Sequence, residues 1–234
     1  MVFTLVDLRF VLAHVVESPK KNQAFLLSSF HAGSLGGVPL AVAGPVLGAP
    51  AAVMVLEKLI ALGVRQVLAL GWCGSISEQV RIADVVVPTA ALSEEGASAH
   101  YPLESPPEEM ALPSRRLVEP PGSMTGGLIS FLQPKIPNLH AGPVWTTDAP
   151  YRETRGKVIQ YAADGILGVE METSALFTVA RYRNIDFAAA LAVSDSLASL
   201  EWRPGSRLPG FTEARELLAR EATGYLCQRK EGGE

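Results

Sequence analysis

Five short runs of apolar, largely β-branched residues punctuate the chain, at 38–46, 66–70, 85–88, 139–145 and 187–193. Each is nearly continuous rather than alternating, which is the pattern of a strand buried on both faces. Between some of them the period lengthens to that of a helix. Residues 51–62 follow Gly48 and Pro50 and stop at Gly63, a helix with an ordinary end signal. Residues 172–183 place Ala175, Val179 and Tyr182 on one face, and residues 213–228 set Glu216 four positions before Arg220, a spacing that supports a surface helix. Strands alternating with helices predict an α/β fold with a mainly parallel central sheet. No change in composition marks a seam, so residues 1–234 read as a single domain. In such sheets ligands sit at the carboxyl ends of strands, which makes those ends the place to look for chemistry.

The segment 101–123 breaks the pattern. It holds Pro102, Pro106, Pro107, Pro113, Pro120 and Pro121, too many for regular structure. It reads as a long surface excursion, either a lid or contact segment or a plain connector. Over the whole chain 48% of residues are hydrophobic and 19% charged, enough apolar material for a large core and too little charge for disorder. A net charge of −4 argues against nucleic acid, whose phosphates require a basic face. No apolar run reaches the roughly 18 residues of a membrane span. The start, MVFTLVDLRF, lacks the basic opening and cleavage site of a signal peptide. Cys73 and Cys227 alone make no disulfide scaffold. Together these features predict a soluble, reduced, cytoplasmic protein.

Four strand ends carry polar residues or glycine. After residue 70 come Gly71, Trp72, Cys73, Gly74 and Ser75: a tight turn, or a glycine loop whose N–H groups face an anion. Cys73 there suits a buried thiol better than a nucleophile. After Trp145 come Thr146, Thr147, Asp148 and Tyr151. Hydroxyls beside an aromatic ring fit a polar ring ligand, and they equally fit a hydrogen-bonded turn. Val169-Glu170-Met171-Glu172 opens a helix. Its acids suit the positive end of the helix dipole, yet Met171 between them also makes an apolar floor beside a forked acceptor, as a sugar edge with vicinal hydroxyls requires. Ser194-Asp195-Ser196 follows the last apolar run. An aspartate at a buried strand end is suited to hold a proton, or else it caps the turn that follows.

In this order and spacing the motifs resemble the purine nucleoside and uridine phosphorylase family, which includes the adenosylhomocysteine nucleosidases. The resemblance is carried by Val169-Glu170-Met171-Glu172 and, 23 residues on, Asp195 in Val193-Ser194-Asp195. Gly71-Trp72-Cys73-Gly74, Glu95-Gly96 with Ser98 and Tyr101, Thr147-Asp148 with Tyr151, and GPVLGAPAA at 44–52 support it. It implies an α/β domain whose mixed sheet curls into a barrel-like core, N-ribosyl transfer on a nucleoside, and a homo-oligomer, either a dimer or a trimer of dimers. It implies that Glu172 accepts the ribose hydroxyls, Met171 packs on the sugar and Asp195 protonates or hydrogen-bonds the departing base. Glu170, Gly71, Trp72, Thr147 and Tyr151 complete the expected substrate contacts. Inorganic phosphate is the expected co-substrate, with no metal or other cofactor.

The chain also departs from the family. Phosphorylases carry an arginine just before the glycine turn and a hydroxyl residue after its first glycine; here those places hold Ala69 or Leu70, and Trp72. The Gly-Asp-Pro loop with its arginine is missing, and Pro150 precedes Tyr151 in place of an aromatic residue. Arg9, Arg81, Arg152 and Arg155 are the cations left to meet phosphate. Three readings follow: a phosphorylase with a rearranged phosphate site, a nucleosidase that uses water, or a nucleoside-binding protein without catalysis.

Overall fold

The computed structural model describes residues 1–25, 28–102 and 116–231. The centre of the proline-rich excursion, 103–115, lies outside the described residues. In chain order the elements are α1 (Leu5–His14), β1 (Glu17–Phe25), β2 (Ser28–Leu35), β3 (Val38–Gly44), α2 (Ala49–Ala61), β4 (Gln66–Ser75), β5 (Val85–Glu94), β6 (Arg116–Val118), α3 (Met124–Leu132), β7 (Leu139–Thr147), α4 (Arg155–Ala163), β8 (Gly168–Glu170), α5 (Thr173–Tyr182), β9 (Asp186–Ser196), β10 (Arg203–Pro204) and α6 (Pro209–Glu231).

Five strands close on themselves. β9 pairs with β4 in parallel, β4 with β8 antiparallel, and β8 with β7 and β7 with β5 in parallel. β5 returns to β9 antiparallel through Val85 opposite Ala192 and Val86 opposite Leu191. The ring is the barrel-like core the resemblance implied, and its two long ladders, β4 on β9 and β5 on β7, are parallel. β6 and β10 extend it antiparallel at its edges. The apolar runs are explained by this closure: a strand inside a helix-clad barrel meets no water on either face. In β9 every residue from Phe187 to Val193 is completely buried.

Three features differ from the sequence reading. The apolar run at 38–46 becomes β3 of a separate three-stranded antiparallel sheet, β1–β2–β3. β1 and β2 are too polar, at ESPKKNQAF and SSFHAGSL, to announce themselves. The strands also run further than their apolar stretches. β4 continues through Gly71, Trp72, Cys73 and Gly74 to Ser75, still paired with β9, with an irregularity between Cys73 and Gly74. The expected glycine turn is therefore strand. Finally, α5 has no polar face: Thr173 to Ala180 are all buried, whereas Tyr182 is exposed and edge-packs on Tyr101. The helix lies against α2 and the barrel, so neighbours surround it and the one-sided pattern read for it does not apply. Helices α1, α3 and α4 lie outside the helical stretches read from the sequence. No helix among the described residues is long and apolar enough to cross a membrane.

Candidate active site

A cavity of about 640 Å³ opens near the carboxyl ends of β4 and β9, where β8 runs into α5. One wall is built at the β8–α5 junction. Glu170 ends β8 and turns its carboxylate onto the new helix: one oxygen accepts the N–H groups of Glu172 at 2.8 Å and Thr173 at 2.7 Å. The other takes the Thr146 hydroxyl. These contacts satisfy backbone donors that the first turn of any helix leaves free. Glu170 borders the cavity, with one oxygen engaged by α5 and the other by Thr146 of β7, so it braces this wall.

Glu172 is free of that task. Its carboxylate, 5% exposed, accepts the Gly48 N–H at 2.6 Å. Gly48 has φ +79°, a conformation that side chains resist, so glycine is what permits this approach at the entry to α2. Burial pushes the Glu172 carboxyl up to about 8, with the Glu170 charge adding to the effect. Met171 stands beside it on the cavity wall.

The opposite wall comes from β9. Asp195 is half-buried rather than enclosed. Its oxygens accept the Ser194 hydroxyl at 2.6 Å and the Trp202 indole N–H at 3.0 Å. Trp202 is brought there by the β9–β10 hairpin, which pairs Pro204 with Asp195. The carboxylate lies over Gly74, where a Cβ would stand 2.9 Å from its Oδ2. Glu153, half-buried on the same cavity, has its carboxyl pushed up to about 7 by burial and then by the Asp195 charge. Tyr151 and Trp202 stand largely exposed at the rim.

The third wall is Phe3, Thr4 and Trp72. The Trp72 indole donates to the Asp7 carboxylate at 2.6 Å and meets Phe211 edge-on. Gly71 does not line the cavity; a Cβ there would come within 2.2 Å of the Phe3 ring, so this glycine serves packing. Thr147 does not line it either. It is buried, and its hydroxyl accepts the Ala149 N–H at 3.2 Å, the hydrogen-bonded-turn alternative. Cys73 lines the cavity, but its buried thiol is pushed far above the ordinary range, first by desolvation and then by Glu170 and Asp195; it is no nucleophile.

The structure thus brings together Met171, Glu170, Glu172, Trp72, Tyr151 and Asp195, and leaves out Gly71 and Thr147. Sequence reasoning missed Glu153, Thr4 and Trp202 as lining residues. None of Arg9, Arg81, Arg152 and Arg155 reaches the cavity; all four are exposed. Among the described residues that line it there are four carboxylates and no Lys, Arg or His. Among the described residues, no group of three or more His, Cys, Asp or Glu is arranged to hold a metal ion.

A closed mixed barrel with a carboxylate-lined cavity at its strand ends defines an α/β protein with a candidate active site. The chain belongs to the phosphorylase superfamily, whose family model matches residues 5–227. It is 28% identical over 166 residues to a guanosine phosphorylase of Halorubrum lacusprofundi, a match covering 71% of this chain and 65% of that one. The chain therefore spans just under two thirds of that relative's length. It is 26% identical over 201 residues to a DeoD-type purine nucleoside phosphorylase of Hahella chejuensis, covering 83% of this chain and 80% of the other. A crystal structure of uridine phosphorylase from Vibrio fischeri ES114 superposes with a TM-score of 0.80 at 22% identity, over 97% of this chain and 90% of that one. That likeness is one of fold.

Proposed function

We propose that the enzyme cleaves the N-glycosidic bond of a nucleoside and transfers the ribosyl group to phosphate. The observation that carries this reading is the pairing of Glu172 with Met171 on one wall of a single cavity and Asp195 on the other. A ribose laid on Met171 offers its vicinal hydroxyls to Glu172, and the base then extends toward Asp195. As the C1′–N bond breaks, its electrons go to the base, and Asp195 meets them with a proton or a hydrogen bond, aided by Ser194 and Trp202. Positive charge grows on the sugar between acidic groups held in place before the reaction, so their oxygens meet it without reorganisation. A phosphate oxygen then bonds to C1′. The names of the relatives, guanosine and purine nucleoside phosphorylase, support phosphate as acceptor.

One observation favours a second reading, with water as acceptor: no cation lines the cavity among the described residues, and a phosphate cradle ordinarily needs cations or clustered N–H groups. A nucleoside panel read by release of free base, with and without phosphate, separates the two. We further propose a homo-oligomer working in cytoplasmic nucleoside salvage, which fits the family and the exposed Leu47, Tyr151 and Trp202 around the cavity mouth.

A further inference from the structure

The cavity wall formed by Phe3, Thr4 and Trp72 is the wall that neither the ribose grip nor the leaving base uses. Behind it lies a carboxylate with no part in the mechanism so far. Asp7 is 4% exposed. Its Oδ2 accepts the Trp72 indole N–H at 2.6 Å and the Thr4 hydroxyl at 2.7 Å, and its Oδ1 accepts Arg215 Nη1 at 2.9 Å. Two of these three donors line the cavity. Arg215, whose side chain is 10% exposed, comes from α6 and also touches Glu216 at 3.2 Å through its other nitrogen. A guanidinium, an indole N–H and a hydroxyl converging within 3 Å are a donor set for an oxyanion. Here the chain supplies the anion itself.

We propose that the Asp7 carboxylate occupies the anion position of the acceptor subsite, so that phosphate enters by displacing it from Arg215, Trp72 and Thr4. The inference rests on reading the cavity as a ribosyl-transfer site, and it accounts for a phosphorylase-like pocket lined by no cation: the nearby guanidinium is present but already paired. The chemical class that fits is a small tetrahedral oxyanion. A site filled by its own side chain binds an outside ligand more weakly by the fraction of time it stands open. If Asp7 leaves the site open about 1–10% of the time, a typical minor-state population, its removal strengthens apparent phosphate binding about 10- to 100-fold.

The test is chemical rescue. Asp7→Ser is titrated with inorganic phosphate, against chloride at matched ionic strength, and the thermal midpoint is followed. The expected result is a saturable rise in the variant and little or none in the wild type, abolished by adding Arg215→Met. A strut that merely ties α1 to α6 predicts the same loss of stability whatever the phosphate concentration. If Asp7→Ser does not fold, the isosteric Asp7→Asn carries the same comparison, with a smaller rise expected. A folded variant that responds to phosphate no more than wild type overturns the proposal, as does a response that survives Arg215→Met. The titration uses no nucleoside. Failure of wild-type protein to release base from any nucleoside therefore counts against the cavity reading, and the rescue result stands apart from it.

Discussion

In the proposed reaction Asp195 and Glu172 divide the work, and each makes its own prediction. Asp195→Asn keeps the Ser194 and Trp202 neighbourhood but cannot give up an acidic proton. Turnover should fall roughly 10²- to 10⁴-fold, the range general acid catalysis supplies, with riboside binding little changed. Wild-type turnover in that variant removes Asp195 from the mechanism. Glu172→Gln should weaken riboside binding about tenfold, the order of one buried hydrogen bond left mispaired, and leave binding of free base nearly intact. Glu172 also carries a stability signature. Its carboxyl sits at about 8 in the folded chain, against an ordinary value of 4.5. Between those values the unfolded chain gives up the proton and the folded one keeps it. Stability from this group therefore falls as pH rises from 4.5 through 8. Glu153, raised to about 7, adds a slope of the same sign over part of that window. Glu172→Gln should therefore flatten, without abolishing, the decline of the urea midpoint between pH 5 and 8; an unchanged slope contradicts the burial argument.

At the scale of elements, the site depends on junctions: β3 into α2, β8 into α5, and the β9–β10 hairpin. Gly48 stands at the first. Gly48→Ala forces a side chain into φ +79°, a strain of about 1–3 kcal/mol, and disturbs the N–H held by Glu172. The urea midpoint and riboside affinity should fall together; a loss of stability with affinity intact would detach Gly48 from the site. The same junctions mark what was legible in the sequence. Long parallel strands announced themselves because burial on both faces leaves an apolar run; Asp195 stood out where such a run ends in an acid, and Glu172 where two acids flank Met171 at the opening of a helix. Strand limits did not, because Gly71 breaks the apolar pattern without breaking the ladder, and Ser194 is skipped at the irregularity beside Gly74, after which the pairing resumes at Asp195. The polar hairpin strands β1 and β2 gave no period to read. Asp7 and Glu153 were invisible for another reason. The partners that define Asp7 lie 65 and 208 positions away, and Glu153 gains its character from Asp195 across the cavity. Local pattern holds no record of such neighbours.

For the whole molecule, the closed barrel gathers carboxylates from β8, β9 and the loop before α4 around one cavity, and places the compensating guanidinium of Arg215 behind its wall. The exposed rim residues Leu47, Tyr151 and Trp202 are apolar surface that a second copy would cover, and light scattering at micromolar concentration should return a multiple of the 24.9 kDa chain mass; the mass of one chain refutes the oligomer. The central claim, ribosyl transfer from a nucleoside to phosphate, is tested most directly by following base release from purine and pyrimidine nucleosides against phosphate concentration while identifying the sugar product. The account predicts a saturable dependence on phosphate with ribose 1-phosphate formed in step with free base. A rate indifferent to phosphate, with free ribose as the product, would contradict it.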